Sequence, residues 1–234
     1  MTAFSSLTGR LLVAMPGIDD DRFRHAVILV CAHDDEHAMG LRLDQPAPGV
    51  TLSEVLKKLD TPVSDAMSDR AVLIGGPVER ERGFVLHTDD WTNGDVTLSF
   101  GDGLALTGTR DALTAMSDAE DGPAQSILLL GYAGWGEGQL EEELGENVWL
   151  TADADPALIF DADYTTKWAR ALAGLGVDAA RLSAQSGRAY PPPLLVGEGL
   201  SARERQRAFL RERVRVVGNR RRKPPHHGSR LLEG

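Results

Sequence analysis

Short runs of branched apolar residues alternate along the chain with polar, glycine-containing breaks. "LLVAM" (11–15) and "AVILVCA" (26–32) are short, aliphatic and bounded by turn signals, which predicts two buried strands with "MPGIDDDRF" as the loop between them. "AMGLRL" (38–43) reads as a further strand that "DQPAPG" breaks. In "TLSEVLKKL" (51–59), Leu52, Val55, Leu56 and Leu59 recur at helical spacing, with Thr51 placed as the N-cap. "AVLIGG" (71–76) and "RGFVLHT" are predicted strands, and "GDVTLSFGDGLALTG" a hairpin turning at Gly-Asp-Gly. A helix opens at "TRDALTAM" (109–116), "SILLLG" is a buried strand, and "QLEEEL" starts another helix. "NVWLTA" and "PALIF" read as short strands, and "DYTTKWARALAGLG" as a helix stopping at glycine. Strands interleaved with helices predict a layered α/β body with α+β elements. No internal repeat is visible.

"GYAGWGEGQLEEEL" (131–144) raises the question of a phosphate-cradling loop, since it follows an apolar strand and opens a helix. Gly134 and Gly136 fit the first two places of a G-x-G-x-x-G fingerprint, but Gln139 stands where the third glycine belongs. No Gly-Lys-Ser/Thr follows. Glu137, Glu141, Glu142 and Glu143 occupy the helix start, where they satisfy the helix dipole themselves and repel a phosphate. The stretch is read as a strand–turn–helix junction whose Gly134 and Gly136 adopt positive φ. Nucleotide binding is not expected, and no cofactor is assigned.

Charge divides the chain in two. Residues 190–234 carry eleven Lys/Arg against four Asp/Glu, a net of +7. The first 189 residues hold fourteen basic and thirty-one acidic groups, a net of −17. The expected organisation is a globular body over 1–189 and a basic C-terminal extension over 190–234, partly helical or disordered. An acidic body repels nucleic acid, and the extension is expected to bind it weakly and without specificity at most. No apolar stretch reaches the roughly 20 residues of a membrane helix, and the start lacks a signal-peptide pattern. A single cysteine, Cys31, has no partner for an intrachain disulfide, and the expected location is the cytoplasm.

Several unusual segments, in order, carry a resemblance: "LLVAMPGIDDDRFRHAVILVCAH", "AMGL", "IGGPVERERGFVLH", "GYAGWGEGQLEEEL" and "NVWL". Between about Leu11 and Ala189 the chain resembles the YqgE/AlgH family of bacterial proteins. The resemblance implies a compact fold with a central mixed sheet, helices packed on it, and a smaller α+β part. It implies no activity beyond a regulatory role suggested by one member's name. The chain departs from the family pattern at His37, Arg42 and Leu43, where Gly, Val and Ile are more usual, and at Asp44, near which the family has Asn.

Candidate chemistry is sparse. "HDDEH" (33–37) fits the H-x-x-E-H spacing of a zinc helix. It directly follows a strand, however, and reads instead as a polar turn with two exposed imidazoles. Cys31 and His33 would share a strand face, but "AVILVCA" points to a buried, unreactive thiol. Asp19, Asp20 and Asp21 read as a solvated acidic loop, and Arg82 and His87 as hydrogen-bonding groups at a sheet edge. No metal site is assigned. A candidate groove gathers Gly75, Gly76 and Pro77 of "GGPV", His87, and Tyr132, Trp135 and Gln139 of the glycine-rich junction. Its ligand would be a protein or a small polar molecule. The reading is therefore a non-enzymatic binding or regulatory module. The alternative is a hydrolase or metal-dependent enzyme using His33, His37 and His87.

Overall fold

The apolar runs assemble into one ten-stranded sheet. A computed structural model describes residues 5–182 except 19, 62, 64–69, 119, 180 and 181, so Asp19 and the basic extension lie outside the described residues. The strands are β1 (Arg10–Ala14), β2 (Val27–His33), β3 (Ala38–Arg42), β4 (Pro46–Thr51), β5 (Ala71–Ile74), β6 (Val78–Thr88), β7 (Thr97–Phe100), β8 (Leu104–Thr107), β9 (Ser126–Trp135) and β10 (Trp149–Asp153). The helices are α1 (Leu52–Lys58), α2 (Arg110–Ala115), α3 (Gln139–Gly145), α4 (Pro156–Ile159) and α5 (Lys167–Gly174). Along the sheet the order is β10-β1-β2-β3-β9-β6-β8-β7, with β5 on β9 and β4 on β5. Among the described residues only the β5–β9 pairing is parallel, which makes the sheet mixed. The sheet curls: Leu11 and Val13 of β1 share a core cluster with Phe100, Leu104 and Leu106 from its other end.

Side-chain alternation distributes the core. All seven residues of β2 are buried, as expected for a strand covered on both faces. Leu29 and Cys31 join the main cluster, whereas Ile28 and Val30 join a second one with Trp135 and Trp149. α1 starts where Thr51 was placed, in a reciprocal capping box with Glu54.

Three expectations need correction. "PALIF" is not a strand but α4, because Asp155 caps it by accepting from the Ala157 amide and Pro156 sits at its first turn. "DQPAPG" does end β3, at Arg42, but it is not simply a loop: from Pro46 the chain is extended again as β4, which among the described residues pairs with β5 alone. The glycine-rich junction turns later than expected. β9 runs through Gly131–Trp135, so Gly134 is a strand residue opposite Met39. Positive φ is found at Gly131 (72°) and Gly138 (68°), not at Gly134 or Gly136.

α5 packs Ala171 and Leu172 into the main core and ties Trp168 to β1 through a 2.8 Å bond from its indole N–H to the Ala14 carbonyl. Its first residue, Lys167, is fully buried. The Lys167 Nζ donates to the carbonyls of Ile159 at 2.8 Å and Asp161 at 3.0 Å. A neutral amine has two N–H bonds for these two acceptors, and burial pushes the pKa down to about 8 from 10.5. Between those pH values the unfolded chain holds a proton that the folded chain has released, so this group adds stability as pH rises, up to about 3 kcal/mol. Buried Cys31 opposes it above about pH 9, because burial raises its thiol pKa. Lys167→Met retains Cys31, so the difference between parent and variant isolates the lysine. Urea midpoints measured from pH 7 to 10 should show the parent gaining on Lys167→Met; a constant difference would mean that the amine stays charged in the fold.

Candidate functional site

His33, His37 and His87 are placed by the fold in two separate settings. "HDDEH" is the hairpin connection between β2 and β3, closed by the Asp34 amide donating to the His37 carbonyl. The Asp34 carboxylate accepts from the Glu36 and His37 amides. The imidazoles are not the exposed pair expected, since the side chains of His33 and His37 are 2% and 10% exposed. The Leu7 amide donates to His33 Nδ1, which puts the ring proton on Nε2, 2.8 Å from a Glu141 carboxylate oxygen. His33 thus fastens the N-terminal segment and α3 to the end of β2. It has no lone pair left for a metal.

His87 sits on β6 between β9 and β8, inside the sheet rather than at its edge, and is fully buried. A directed chain of hydrogen bonds reaches it. The Asn93 amide donates to Thr97 Oγ1, and Thr97, Thr107 and His87 Nε2 follow at 2.9 Å each. With Nε2 accepting, Nδ1–H donates to the Thr88 carbonyl at 2.7 Å. Burial lowers the His87 pKa, so the ring is neutral. Trp91 packs edge-on against it with ring centroids 5.2 Å apart. In the register of the sheet His87 lies opposite Ser126 while Val78 lies opposite Tyr132, six residues or about 20 Å along β9. The expected groove joining His87 to the glycine loops is therefore not formed. Nor do His33, His37 and His87 converge: the first two belong to the β2–β3 turn and the third to the far end of β6. Cys31 is fully buried with its thiol pKa raised by desolvation, the opposite of a nucleophile's setting.

The remaining groove residues separate into two groups. Tyr132 and Trp135 are buried on opposite faces of β9, Tyr132 in the main cluster and Trp135 in the second. Glu143 organises the Trp135 side. One of its carboxylate oxygens accepts both indole N–H groups, Trp135 at 2.8 Å and Trp149 at 2.7 Å. The other accepts from the Gln139 amide at 2.8 Å, and Gln139 in turn accepts from the Gly136 N–H. Gln139 and Trp135 are thus parts of a brace holding α3 on the sheet.

Gly75, Gly76 and Pro77 belong to a different place, a fork in the sheet. On one edge β9 pairs first with β5 and then with β3, and Gly75–Gly76 fills the wedge where those two neighbours diverge. Gly75 donates to the Leu130 carbonyl and accepts from the Arg42 amide, both at 2.8 Å. A Cβ on Gly76 would lie 2.1–2.3 Å from the backbone of Tyr132 and Ala133, so only glycine permits the approach. A cleft of about 220 Å³ opens beside this wedge. One wall is the turn Asp21–Phe23, the other is Ile74, Gly76, Pro77 and Arg80, and Arg42 and Gln45 form its base. Arg42 and Asp44 make an ion pair in which both side chains are less than 10% exposed. Asp44 also accepts from the Val27 amide, and Arg42 donates to the carbonyls of Arg22 and Arg24. Two of the positions departing from the family pattern thus fix the cleft's turn onto β3. Sequence reading found Gly75, Gly76 and Pro77 but missed Arg80 beside them and Arg22, Arg42 and Gln45, which come from two further segments and carry no local spacing signal.

Comparison with known proteins fits this architecture. The AlgH-like family model, DUF179, matches residues 11–180. A UPF0301 protein of Caulobacter vibrioides is 57% identical over 183 residues, covering 78% of this chain and 94% of its own length. Another, from Ruegeria pomeroyi, is 48% identical over 184 residues, with 78% and 99% covered. The solution structure of the AlgH protein from Pseudomonas aeruginosa superposes with a TM-score of 0.64 at 40% identity, covering 81% of this chain and all of that one. A crystal structure of a Corynebacterium diphtheriae protein, at 21% identity and TM-score 0.59, shares the fold. With sequence, family model and solved structure agreeing over the same region, the chain belongs to the AlgH-like family.

Proposed function

We propose that the chain is a non-enzymatic binding module, acting in the cytoplasm, whose ligand surface is the cleft at the fork of the sheet. The observation that carries this reading is the wedge itself: Gly76 is held against the backbone of β9 while Arg42 anchors the opposite wall, giving a concave site with rigid sides. The parallel strand β5 ends at this cleft, and in sheets containing parallel strands the carboxyl ends beside a change of strand neighbour are where crevices open. Two of the histidines that an enzyme would draw on, His33 and His87, are engaged in hydrogen bonds that orient the fold. A regulatory role follows if occupancy of the cleft governs contact with a partner protein.

The test is a fragment screen on isotope-labelled protein, read by amide chemical shifts. Responses should cluster at residues 21–23, 42–45 and 74–80. Fragments that gather elsewhere would remove the cleft from consideration. Turnover of ester, phosphoester or amide substrates, lost in His87→Ala or His33→Ala, would establish the enzymatic alternative instead.

A further inference from the structure

We infer that the cleft is a site for a small oxyanion, a phosphate or a carboxylate; this rests on the cleft being the binding surface. Its charge runs against that of its surroundings. The body has a net charge of −17, with fourteen basic side chains in 189 residues, yet Arg22, Arg42 and Arg80 all line this one cleft. Arg42 is not the ligand's partner, because its Nε and Nη2 engage Asp44 and its remaining contacts are the carbonyls of Arg22 and Arg24. It acts by fixing the turn that carries Arg22.

The two other guanidiniums have donors to spare. Arg22 bonds Asp20 through Nε and Nη2, which leaves Nη1 without an acceptor among the described residues. Arg80 is exposed and has no hydrogen bond or ion pair among the described residues. Its backbone runs close against β9, in the irregular stretch of β6 between Val78 and Gly83, where a Cβ on Gly131 would come within 3.2 Å of the Arg80 Cα. The side-chain amide of Gln45 adds a neutral donor at the base. Asp21 also lines the cleft, but its carboxylate is paired with Arg24 and its side chain is 83% exposed. Guanidinium groups match the oxygens of phosphate and carboxylate with directed hydrogen bonds. At about 220 Å³ the site falls below the usual 300–1,000 Å³ of a drug-sized pocket, which selects a small anion.

The experiment titrates the full chain with inorganic phosphate, succinate and glycerol in phosphate-free buffer, followed by amide shifts. Arg80→Ala reports on the cleft, and Arg110→Ala, at an exposed position opening α2, controls for general charge. Phosphate or succinate should shift amides at 22–23, 45 and 76–80, and Arg80→Ala should weaken that response about ten-fold or more while Arg110→Ala leaves it unchanged. A stronger response to phosphate marks a tetrahedral ligand, and one to succinate a carboxylate. Arg80→Ala should melt like the parent. If glycerol shifts the cleft as strongly as the anions, or Arg80→Ala responds like the parent, the oxyanion inference fails while the cleft stands as a binding surface. If both anions shift only amides outside the cleft, the inference fails as well; the fragment screen then decides separately whether the cleft binds anything.

Discussion

Gly76→Ala is expected to abolish stable folding or lower the melting temperature more than any other single-methyl addition in the wedge. The new Cβ would lie 2.1 Å from the Tyr132 carbonyl carbon, 2.2 Å from the Ala133 nitrogen and 2.3 Å from the Tyr132 oxygen. All three are backbone atoms of a central strand, so no side chain can rotate away. Relief requires the wedge to withdraw from β9, which breaks the 2.8 Å bond that the Gly75 N–H donates to the Leu130 carbonyl. Overpacking a core costs about 1–3 kcal/mol when side chains can adjust. A collision with fixed backbone exceeds that range and approaches a large share of the roughly 5–15 kcal/mol that holds a domain together. Gly136→Ala is the control. An added Cβ there meets nothing within 4 Å and φ is not positive, so this variant should melt like the parent or slightly higher. Thermal and urea unfolding of the two variants test the pair. Equal melting of Gly76→Ala and parent would show that the wedge is looser than its geometry implies.

Glu143→Ala is expected to cost about 2–5 kcal/mol. Its removal strands two indole N–H groups on tryptophans that are 4% and 3% exposed, and each buried donor left without an acceptor costs about 1–3 kcal/mol. Trp135 and Trp149 also pack edge to face at 6.2 Å, so the change should reach the near-ultraviolet circular dichroism and the tryptophan emission. Glu143→Gln keeps one acceptor oxygen and should lose less than Glu143→Ala. The check is urea unfolding followed by tryptophan fluorescence. Unchanged midpoints in Glu143→Ala would mean that water replaces the carboxylate at both indoles.

The same glycine-rich stretch shows where reading the sequence succeeds and where it stops. That "GYAGWGEGQLEEEL" joins a strand to a helix and holds no nucleotide fingerprint follows from local rules of spacing and charge. Which glycines are indispensable does not. The wedge glycines are constrained by what lies across the fork, whereas Gly134 is an extended strand residue and Gly136 faces open space. Likewise Gln139 and Glu143 stand four apart on α3, as helical pairs do. Nothing local announces that Trp149, from the next strand, completes their brace.

By itself the sequence determined the class of fold and the places of most strands and of α1, α2, α3 and α5, because burial imposes periods of 2 and 3.6 residues that any short window displays; the family was legible separately, in the resemblance of particular segments. It also fixed the acidic character of the body, a sum that needs no geometry. Tertiary structure alone decided the rest. His87 was carried about 20 Å from the glycine wedge by the register of β6 on β9. Arg22, Arg42, Gln45 and Arg80 met at one cleft because β5 splits β3 from β9, and a fork in a sheet is a property of strand order, which no local pattern encodes.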